Sequence, residues 1–273
     1  MKKWLSAIIL LTAAAILAAC GGKADSSESA KHVKIGATSG PFSDMVSKAI
    51  KPGLEKKGYT VEVVEFSDYV QPNIALSKGD IQANLFQHKN YMENFAKENK
   101  IQLSEVISVP TAPMGIYSNT YKSLNDVKPG SSFTLPSDPV NGARAFIILQ
   151  KEGLIKLNPG VSPLKVSEKD IADNPFKLQF KPLEAGQLPR SVDSADMAAV
   201  PGNFAVASGM DLHSAIAVED MADDYRNRVV VDSKNINAQF AKDMKKVVES
   251  PEFERVIDKD FAGFGKPEWM KSE

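Results

Sequence analysis

The chain has 273 residues, with 33 lysines and arginines, 34 aspartates and glutamates, and a single cysteine. The near balance of charge produces no field that would attract nucleic acid, so we expect no nucleic-acid partner. A lone cysteine excludes an intrachain disulfide and a zinc site built from several thiolates.

The first twenty residues have the pattern of a bacterial lipoprotein signal peptide. Lys2 and Lys3 precede an apolar run over 7–19, and the small residues before Cys20 complete a lipobox, in which the cysteine becomes the acylated N-terminus. An apolar run of about thirteen residues is too short to cross roughly 30 Å of hydrocarbon as a helix. We therefore predict cleavage, acylation of Cys20, and an extracytoplasmic protein anchored to the bacterial cell membrane by that lipid.

Residues 21–32 are small and polar, with too few apolar side chains to join a core, and predict a flexible tether. The chain from Val33 onward is long enough for two domains, each with its own core.

The first part of this globular region alternates between strand and helix patterns. Strands are predicted over 33–37, 59–66 and 81–86, and helices over 44–56, 72–78 and 89–97. Such alternation is typical of a parallel sheet covered by helices on both faces.

The alternation starts again after the segment 114–117. Strands are predicted over 132–135, 176–183, 197–200 and 227–231, and helices over 142–151, 187–192, 238–249 and 251–261. Neither half ends where a tandem pair of domains would end. We therefore predict an α/β fold of two lobes joined by two crossovers, with 33–114 plus 224–273 as lobe one and 115–223 as lobe two. A small ligand would bind in the cleft between them.

Catalytic motifs are scarce in this sequence. It contains no Gly-x-Ser-x-Gly nucleophile elbow, no phosphate-binding loop, no dinucleotide fingerprint and no His-Glu-x-x-His pair. The three histidines, His32, His88 and His213, are too few and too scattered to predict a metal site. We expect a binding protein without a cofactor or a metal rather than an enzyme.

Arg144 is the first candidate for ligand recognition. It opens the predicted helix directly after the loop 138–143, where free backbone N–H groups and the positive helix end favour an anion. A guanidinium there could hold a carboxylate through two parallel hydrogen bonds. Taken alone, Arg144 is better explained as a solvated arginine on a helix surface.

Three aromatic residues are further candidates. Phe86 and His88 follow a predicted strand whose carboxyl end should face the cleft, and Tyr69 precedes a proline turn. Taken singly, Phe86 could belong to the core, His88 could be a surface or hydrogen-bonded histidine, and Tyr69 could be a packing anchor.

Several segments, in order along the chain, resemble the methionine-binding lipoproteins of the NlpA family, which serve methionine-uptake ABC transporters. The resemblance covers nearly the whole mature chain. The segments are the lipobox ending in Cys20, 66–73, 76–89, 113–118, Pro136-Ser137-Asp138-Pro139-Val140-Asn141-Gly142-Ala143-Arg144-Ala145 and Leu183-Glu184-Ala185-Gly186-Gln187-Leu188-Pro189-Arg190.

The resemblance implies a periplasmic-binding-protein fold, an ABC permease and ATPase as partners, and a set of ligand contacts. Arg144 would pair with the ligand carboxylate, and Asn141 and Asn227 would supply amide contacts to its polar end. The remaining candidates would line the pocket for the ligand side chain, where a thioether packs well against aromatic edges. These pocket residues are Tyr69, Phe86 and His88.

Two segments depart from the family pattern. Pro201-Gly202-Asn203-Phe204 stands where relatives have Asn-Gly-Asn-Tyr, which keeps Asn203 as a candidate contact but replaces an asparagine by Pro201. Asp223-Asp224-Tyr225-Arg226 replaces the usual Ser-Pro-Tyr. Losing one polar contact to a buried ligand costs about 1–3 kcal/mol, which is enough to change a preference.

The ligand therefore stays open among L-methionine, D-methionine, a methionine derivative, a methionine-containing dipeptide and another apolar amino acid. An extracytoplasmic enzyme or a surface adhesin built on the same scaffold is the rival class, because a fold alone does not fix a function.

Overall fold

A computed structural model describes residues 31–271 of the chain. The strands are β1 (His32–Thr38), β2 (Thr60–Phe66), β3 (Ala83–His88), β4 (Leu103–Ser108), β5 (Gly115–Tyr117), β6 (Ser132–Pro136), β7 (Lys156–Leu157), β8 (Ile171–Asp173), β9 (Gln179–Leu183), β10 (Met197–Val200), β11 (Ala217–Val218) and β12 (Asn227–Asp232).

The helices, numbered in chain order, are α1 (Pro41–Met45), α2 (Lys51–Glu55), α3 (Gln71–Lys78), α4 (Lys89–Asn99), α5 (Pro139–Lys151), α6 (Leu188–Ser191), α7 (Gly202–Ala207), α8 (Gln239–Val248) and α9 (Pro251–Asp260). A π-helical segment, Val46–Ile50, joins α1 to α2. The predicted helix over 44–56 is therefore a longer, composite element.

Lobe one is built on a five-stranded sheet of order β2-β1-β3-β12-β4. β1 and β3 pair in parallel, as predicted, but β12 runs antiparallel to both β3 and β4. The prediction of a parallel sheet is wrong for this part. The alternation of strands and helices predicts the direction only of strands that follow one another along the chain. β12 enters this sheet after the chain has returned from the other lobe, so its direction is not set by that alternation.

Lobe two is built on a second five-stranded sheet of order β11-β5-β10-β6-β9. The strands β10, β6 and β9 are parallel, and β5 pairs antiparallel with both β10 and β11. β7 and β8 form a separate two-stranded antiparallel sheet. β5 and β11 were not predicted, since strands of two or three residues carry too short a pattern to be recognised.

Each lobe has its own hydrophobic core. In lobe one, Phe42, Met45, Ile50 and their neighbours from the helices pack on the sheet together with Met244 and Phe253. In lobe two, the main core contains the following buried residues: Met114, Ile116, Phe133, Leu135, Phe146, Leu149 and Met197.

The start of α5 determines the placement of two candidate site residues. Asp138 caps this helix by accepting a hydrogen bond from the backbone N–H of Asn141 at 2.9 Å, and Pro139 occupies its first turn. The helix therefore begins three residues before the predicted Gly142. Arg144 lies in the second turn of α5 and does not open it, so the expectation of a guanidinium at a free helix N-terminus is wrong.

The chain passes between the two sheets twice, once after β4 and once after β11, which confirms the predicted fold of two α/β lobes joined by two crossovers. The predicted lobe boundaries stay a prediction. Within 31–271, none of the helices combines the length and apolar character needed to cross a membrane. The predicted signal peptide, Cys20 and most of the predicted tether lie outside the described residues.

Candidate functional site

A cavity lies where the two lobes meet. All seven candidate residues named from the sequence line it: Tyr69, Phe86, His88, Asn141, Arg144, Asn203 and Asn227. Tyr69 and the strands β3 and β12 contribute four of them from lobe one, whereas α5 and α7 contribute three from lobe two. The site therefore depends on both lobes.

The aromatic wall of this cavity is centred on Tyr69. Its ring centroid lies 5.9 Å from that of Phe86, 5.9 Å from that of Tyr91 and 5.1 Å from that of Phe204. Asp68 fixes the turn that carries Tyr69, because its carboxylate accepts hydrogen bonds from the two backbone N–H groups that follow Tyr69. Tyr69, Phe86 and Tyr91 line the cavity and offer apolar faces and edges to a ligand side chain, and Phe204 packs against Tyr69.

Tyr69 also joins the lobes through a hydrogen bond. Its hydroxyl donates to Oδ1 of Asn203 at 2.6 Å. Burial raises the pKa of Tyr69 well above its ordinary value, so the hydroxyl stays protonated and remains a donor. Nδ2 of Asn203 is buried and has no hydrogen-bond partner within 31–271, which leaves it free to donate to a ligand in the cavity.

His88 makes the second hydrogen bond between the lobes. Its Nδ1 accepts from the backbone N–H of Tyr91, so it caps α4. Burial, reinforced by the positive charge of Arg144, lowers the pKa of His88 to about 3. The ring is therefore neutral at pH 7, and since Nδ1 is an acceptor, the proton sits on Nε2 and is donated to Oδ1 of Asn141 at 3.0 Å.

Asn141 is the centre of the polar end of the cavity. Its Oδ1 also accepts from Nη1 of Arg144 at 2.7 Å, and its Nδ2 donates to both carboxylate oxygens of Asp138 at 3.1 and 3.0 Å. These contacts orient the amide unambiguously, because only the oxygen can accept and only the nitrogen can donate.

Arg144 is 6% exposed and is already paired within the chain. Its Nε donates to Oε2 of Glu219 at 3.0 Å, and its Nη2 donates to Oε1 of the same carboxylate. Its Cζ lies 5.1 Å from the ring centroid of Tyr225, a cation–π contact. Burial acts to lower the pKa of Arg144, but the charge and hydrogen bonds of Glu219 outweigh it, so the pKa is raised and the group stays cationic.

Asn227 is the first residue of β12, directly after the second crossover. Its backbone N–H donates to Oγ1 of Thr111 at 2.8 Å, and its carbonyl accepts from the N–H of Val109 at 2.9 Å, which ties it to the first crossover. It pairs with His88 in the register of β12 and β3. Both crossovers therefore help to position the site.

Several residues of the site were not foreseen from the sequence. Glu219 and Tyr225 hold Arg144. The cavity is completed by Phe42, Gln87, Tyr91, Thr111, Ala112 and Gly202, together with Pro201, which the sequence had already marked as a departure from the family pattern. Tyr91 lies in the first turn of the helix that His88 caps, and His88 also lines the cavity. This proximity to a candidate residue is the feature of the sequence that could have indicated Tyr91. Across residues 31–271, no cluster of three or more histidine, cysteine, aspartate or glutamate side chains is placed to hold a metal ion.

Two α/β lobes with a cavity between them, lined by an aromatic wall and a buried cation, define a substrate-binding protein of the periplasmic type. The family model of the NlpA lipoproteins matches residues 33–269. The chain belongs to the NlpA lipoprotein family, which confirms the resemblance.

Relatives of known name and structure agree with this assignment. The chain is 39% identical to the D-methionine-binding lipoprotein MetQ of Salmonella typhi over 270 residues, which cover 98% of both chains. It resembles a nutrient-binding protein from Burkholderia cenocepacia bound to methionine, with a TM-score of 0.81, 37% identity and coverage of 85% of this chain and 97% of that one. A periplasmic substrate-binding protein of an ABC transporter from Coxiella burnetii is similar, with a TM-score of 0.81, 32% identity and coverage of 86% of this chain and 99% of that one.

Proposed function

We propose that this protein is an extracytoplasmic solute-binding lipoprotein that captures L-methionine or a close analogue and delivers it to an ABC import permease. The observation that carries the proposal is the cavity between the lobes, which joins an aromatic wall around Tyr69 to a polar end built from Arg144 and Asn141. No bond of the ligand is made or broken in this role.

The two ends of the cavity match the two ends of methionine. A thioether against aromatic edges contributes about 0.3–1.5 kcal/mol per contact, and Tyr69, Phe86 and Tyr91 provide such edges. At the other end, Arg144 would bind the α-carboxylate and Asn203 would donate its unpaired Nδ2. The names of relatives that bind methionine or D-methionine support the same class of ligand.

The mechanism in this proposal is closure of the lobes around the ligand. The hydrogen bonds Tyr69–Asn203 and His88–Asn141 join the lobes. Each contributes roughly 0.5–1.5 kcal/mol, net, to the stability of the closed form. Two such bonds favour closure only modestly. A ligand that contacts both lobes would shift the population toward the closed form, which the permease would recognise.

The proposal places the protein on the outer face of the membrane through a lipid on Cys20. Radiolabelled palmitate fed to producing cells should label the wild-type protein and should not label a Cys20→Ser variant. Label that persists on the variant would contradict the anchor.

Ligand binding is tested on the chain from Gly21 to Glu273. Native mass spectrometry of the purified protein, followed by denaturation, should release a molecule with the mass of methionine. Calorimetry with L-methionine, D-methionine, glycyl-L-methionine and L-leucine would then rank the ligands, and we expect L-methionine to bind in the nanomolar to micromolar range. A protein that retains no small molecule and gives no heat with any of the four would refute the proposal.

Closure is tested separately by small-angle X-ray scattering. We expect the ligand-free ensemble to be more open, so that saturation with L-methionine lowers the radius of gyration. An unchanged radius at saturation would contradict hinge closure but not ligand binding.

A further inference from the structure

Glu219 is a buried carboxylate at the polar end of the site, at the start of the second crossover. Its side chain is 6% exposed. Three donors converge on it: Nε of Arg144 at 3.0 Å, Nη2 of Arg144, and the backbone N–H of Met114 at 2.6 Å. The backbone N–H of Glu219 in turn donates to the carbonyl of Met114 at 3.1 Å. These contacts fix the carboxylate against Arg144 and against both crossovers.

This arrangement still leaves Arg144 able to bind a ligand. A guanidinium has five N–H donors. Glu219 takes two of them and Asn141 takes a third. The two that remain, one on Nη1 and one on Nη2, are available to the oxygens of a ligand carboxylate.

Arg144 and Glu219 balance each other's charge without a ligand. Arg144 and Glu219 form an ion pair whose side chains are 7% and 6% exposed, so water screens neither of them effectively. His88 is neutral at pH 7. Asp138 does not line the cavity; it caps α5, and both of its carboxylate oxygens accept hydrogen bonds from Asn141. Arg228 is paired away from the cavity with Glu105 and Asp223.

A balanced buried pair restricts the charge of what can bind beside it. Burying a net charge is costly unless an opposite charge accompanies it. A zwitterion adds no net charge to the Arg144–Glu219 pair, whereas a simple carboxylate leaves one unbalanced negative charge in the closed cavity.

We propose that Glu219 is a specificity-determining residue, which makes the site select net-neutral, zwitterionic amino acids over anions of the same shape. The inference rests on the proposed function and extends it, because it assigns the preference for a zwitterion to a residue that pairs with Arg144. Without Glu219, Arg144 alone would balance a simple carboxylate, and the preference for a zwitterion would weaken.

The test compares L-methionine with 4-(methylthio)butanoate, which is methionine without its ammonium group and is therefore a net anion. Dissociation constants for both are measured by calorimetry at pH 7. In Glu219→Gln, which keeps the shape of the side chain, we expect the preference for L-methionine to fall at least about tenfold, through stronger binding of the anion, weaker binding of methionine, or both. Glu219→Met, made in parallel, removes the same charge and serves if Glu219→Gln does not fold.

Two control variants separate charge from structural damage. Glu219→Asp keeps the charge, so the preference should stay within about threefold of wild type even if both affinities drop. Glu105→Gln removes the half-exposed carboxylate that pairs with another buried arginine, Arg228, outside the cavity, and it should leave the preference unchanged.

The outcomes distinguish the inference from the proposed function. If wild type binds L-methionine but Glu219→Gln and Glu219→Met keep the wild-type ratio of the two dissociation constants, Glu219 does not determine specificity. Equal weakening for both ligands would also overturn the inference, since it would indicate a purely structural role. If wild type binds neither these two compounds nor the other ligands of the calorimetric series, the proposed function itself fails.

Discussion

Replacement of Arg144 by lysine keeps the charge but removes the planar fork of donors. In the wild-type protein, Arg144 donates to Glu219 through two nitrogens and to Asn141 through a third, and it contacts the ring of Tyr225. A lysine has one nitrogen at the end of a flexible stem. It cannot hold Glu219 and Asn141 and still present two donors to a ligand carboxylate.

The magnitude follows from the contacts that are lost. Hydrogen bonds to charged groups contribute about 1.5–3 kcal/mol each. We expect one or two such bonds to the ligand carboxylate to be lost or misaligned, which amounts to about 2–4 kcal/mol. Every 1.4 kcal/mol is a tenfold change, so Arg144→Lys should weaken the binding of L-methionine by roughly 30-fold to several hundred-fold.

The assay is calorimetry with L-methionine at pH 7, with thermal unfolding as a check on folding. Arg228→Lys is the matched control, because Arg228 is also buried and paired with carboxylates but does not line the cavity. It should bind L-methionine within about threefold of wild type. An Arg144→Lys protein that folds and binds as tightly as wild type would refute the assignment of Arg144 to the ligand carboxylate.

Three further predictions test the cavity and its surroundings. Tyr69→Phe removes the 2.6 Å bond to Asn203 between the lobes and should weaken L-methionine binding by about 2- to 12-fold in calorimetry. An unchanged affinity would show that this bond does not favour closure. The pKa of His88 is about 3 in the folded protein and 6.5 when the side chain is exposed. Between these pH values the unfolded state binds one more proton than the folded state. The stability that neutral His88 contributes above pH 6.5 is therefore lost as the pH falls toward 3. Urea unfolding should show that the free energy of unfolding falls by about 2–3 kcal/mol by pH 4.5. His88→Gln cannot titrate and should lack this loss. An equal pH dependence in both proteins would contradict the burial of His88. A Cβ on Gly202 would lie 2.6 Å from Cβ of Ala112. Gly202→Ala should therefore lower the free energy of unfolding by about 1–3 kcal/mol in the same assay. An unchanged free energy would mean that α7 and the first crossover can move apart at no cost.

Much of the fold follows from local patterns in the sequence. β1, β2 and β3 and the helices between them appear at nearly their predicted positions, because alternating and helical periodicities each reflect one buried face. What local patterns cannot supply is the partner of a strand. β12 was predicted as a strand, but its antiparallel place between β3 and β4 depends on contacts with residues more than a hundred positions earlier.

The site was predictable as a set but not residue by residue. Arg144, His88 and Tyr69 each had an ordinary structural explanation, and only the family resemblance connected them. His88 turned out to have both kinds of role, since it caps α4 and lines the cavity. Glu219 had no signal at all, because it sits in a short loop 75 residues from Arg144 and becomes significant only when the fold brings the two together.

A crystal structure of the protein with L-methionine would test the central claim most directly. The account predicts one molecule in the cavity between the lobes, with its carboxylate on Nη1 and Nη2 of Arg144, its thioether against Tyr69 and Phe86, and Glu219 still bound to the opposite edge of the guanidinium. Methionine bound outside this cavity, or a saturated crystal in which the cavity holds no ligand, would contradict it.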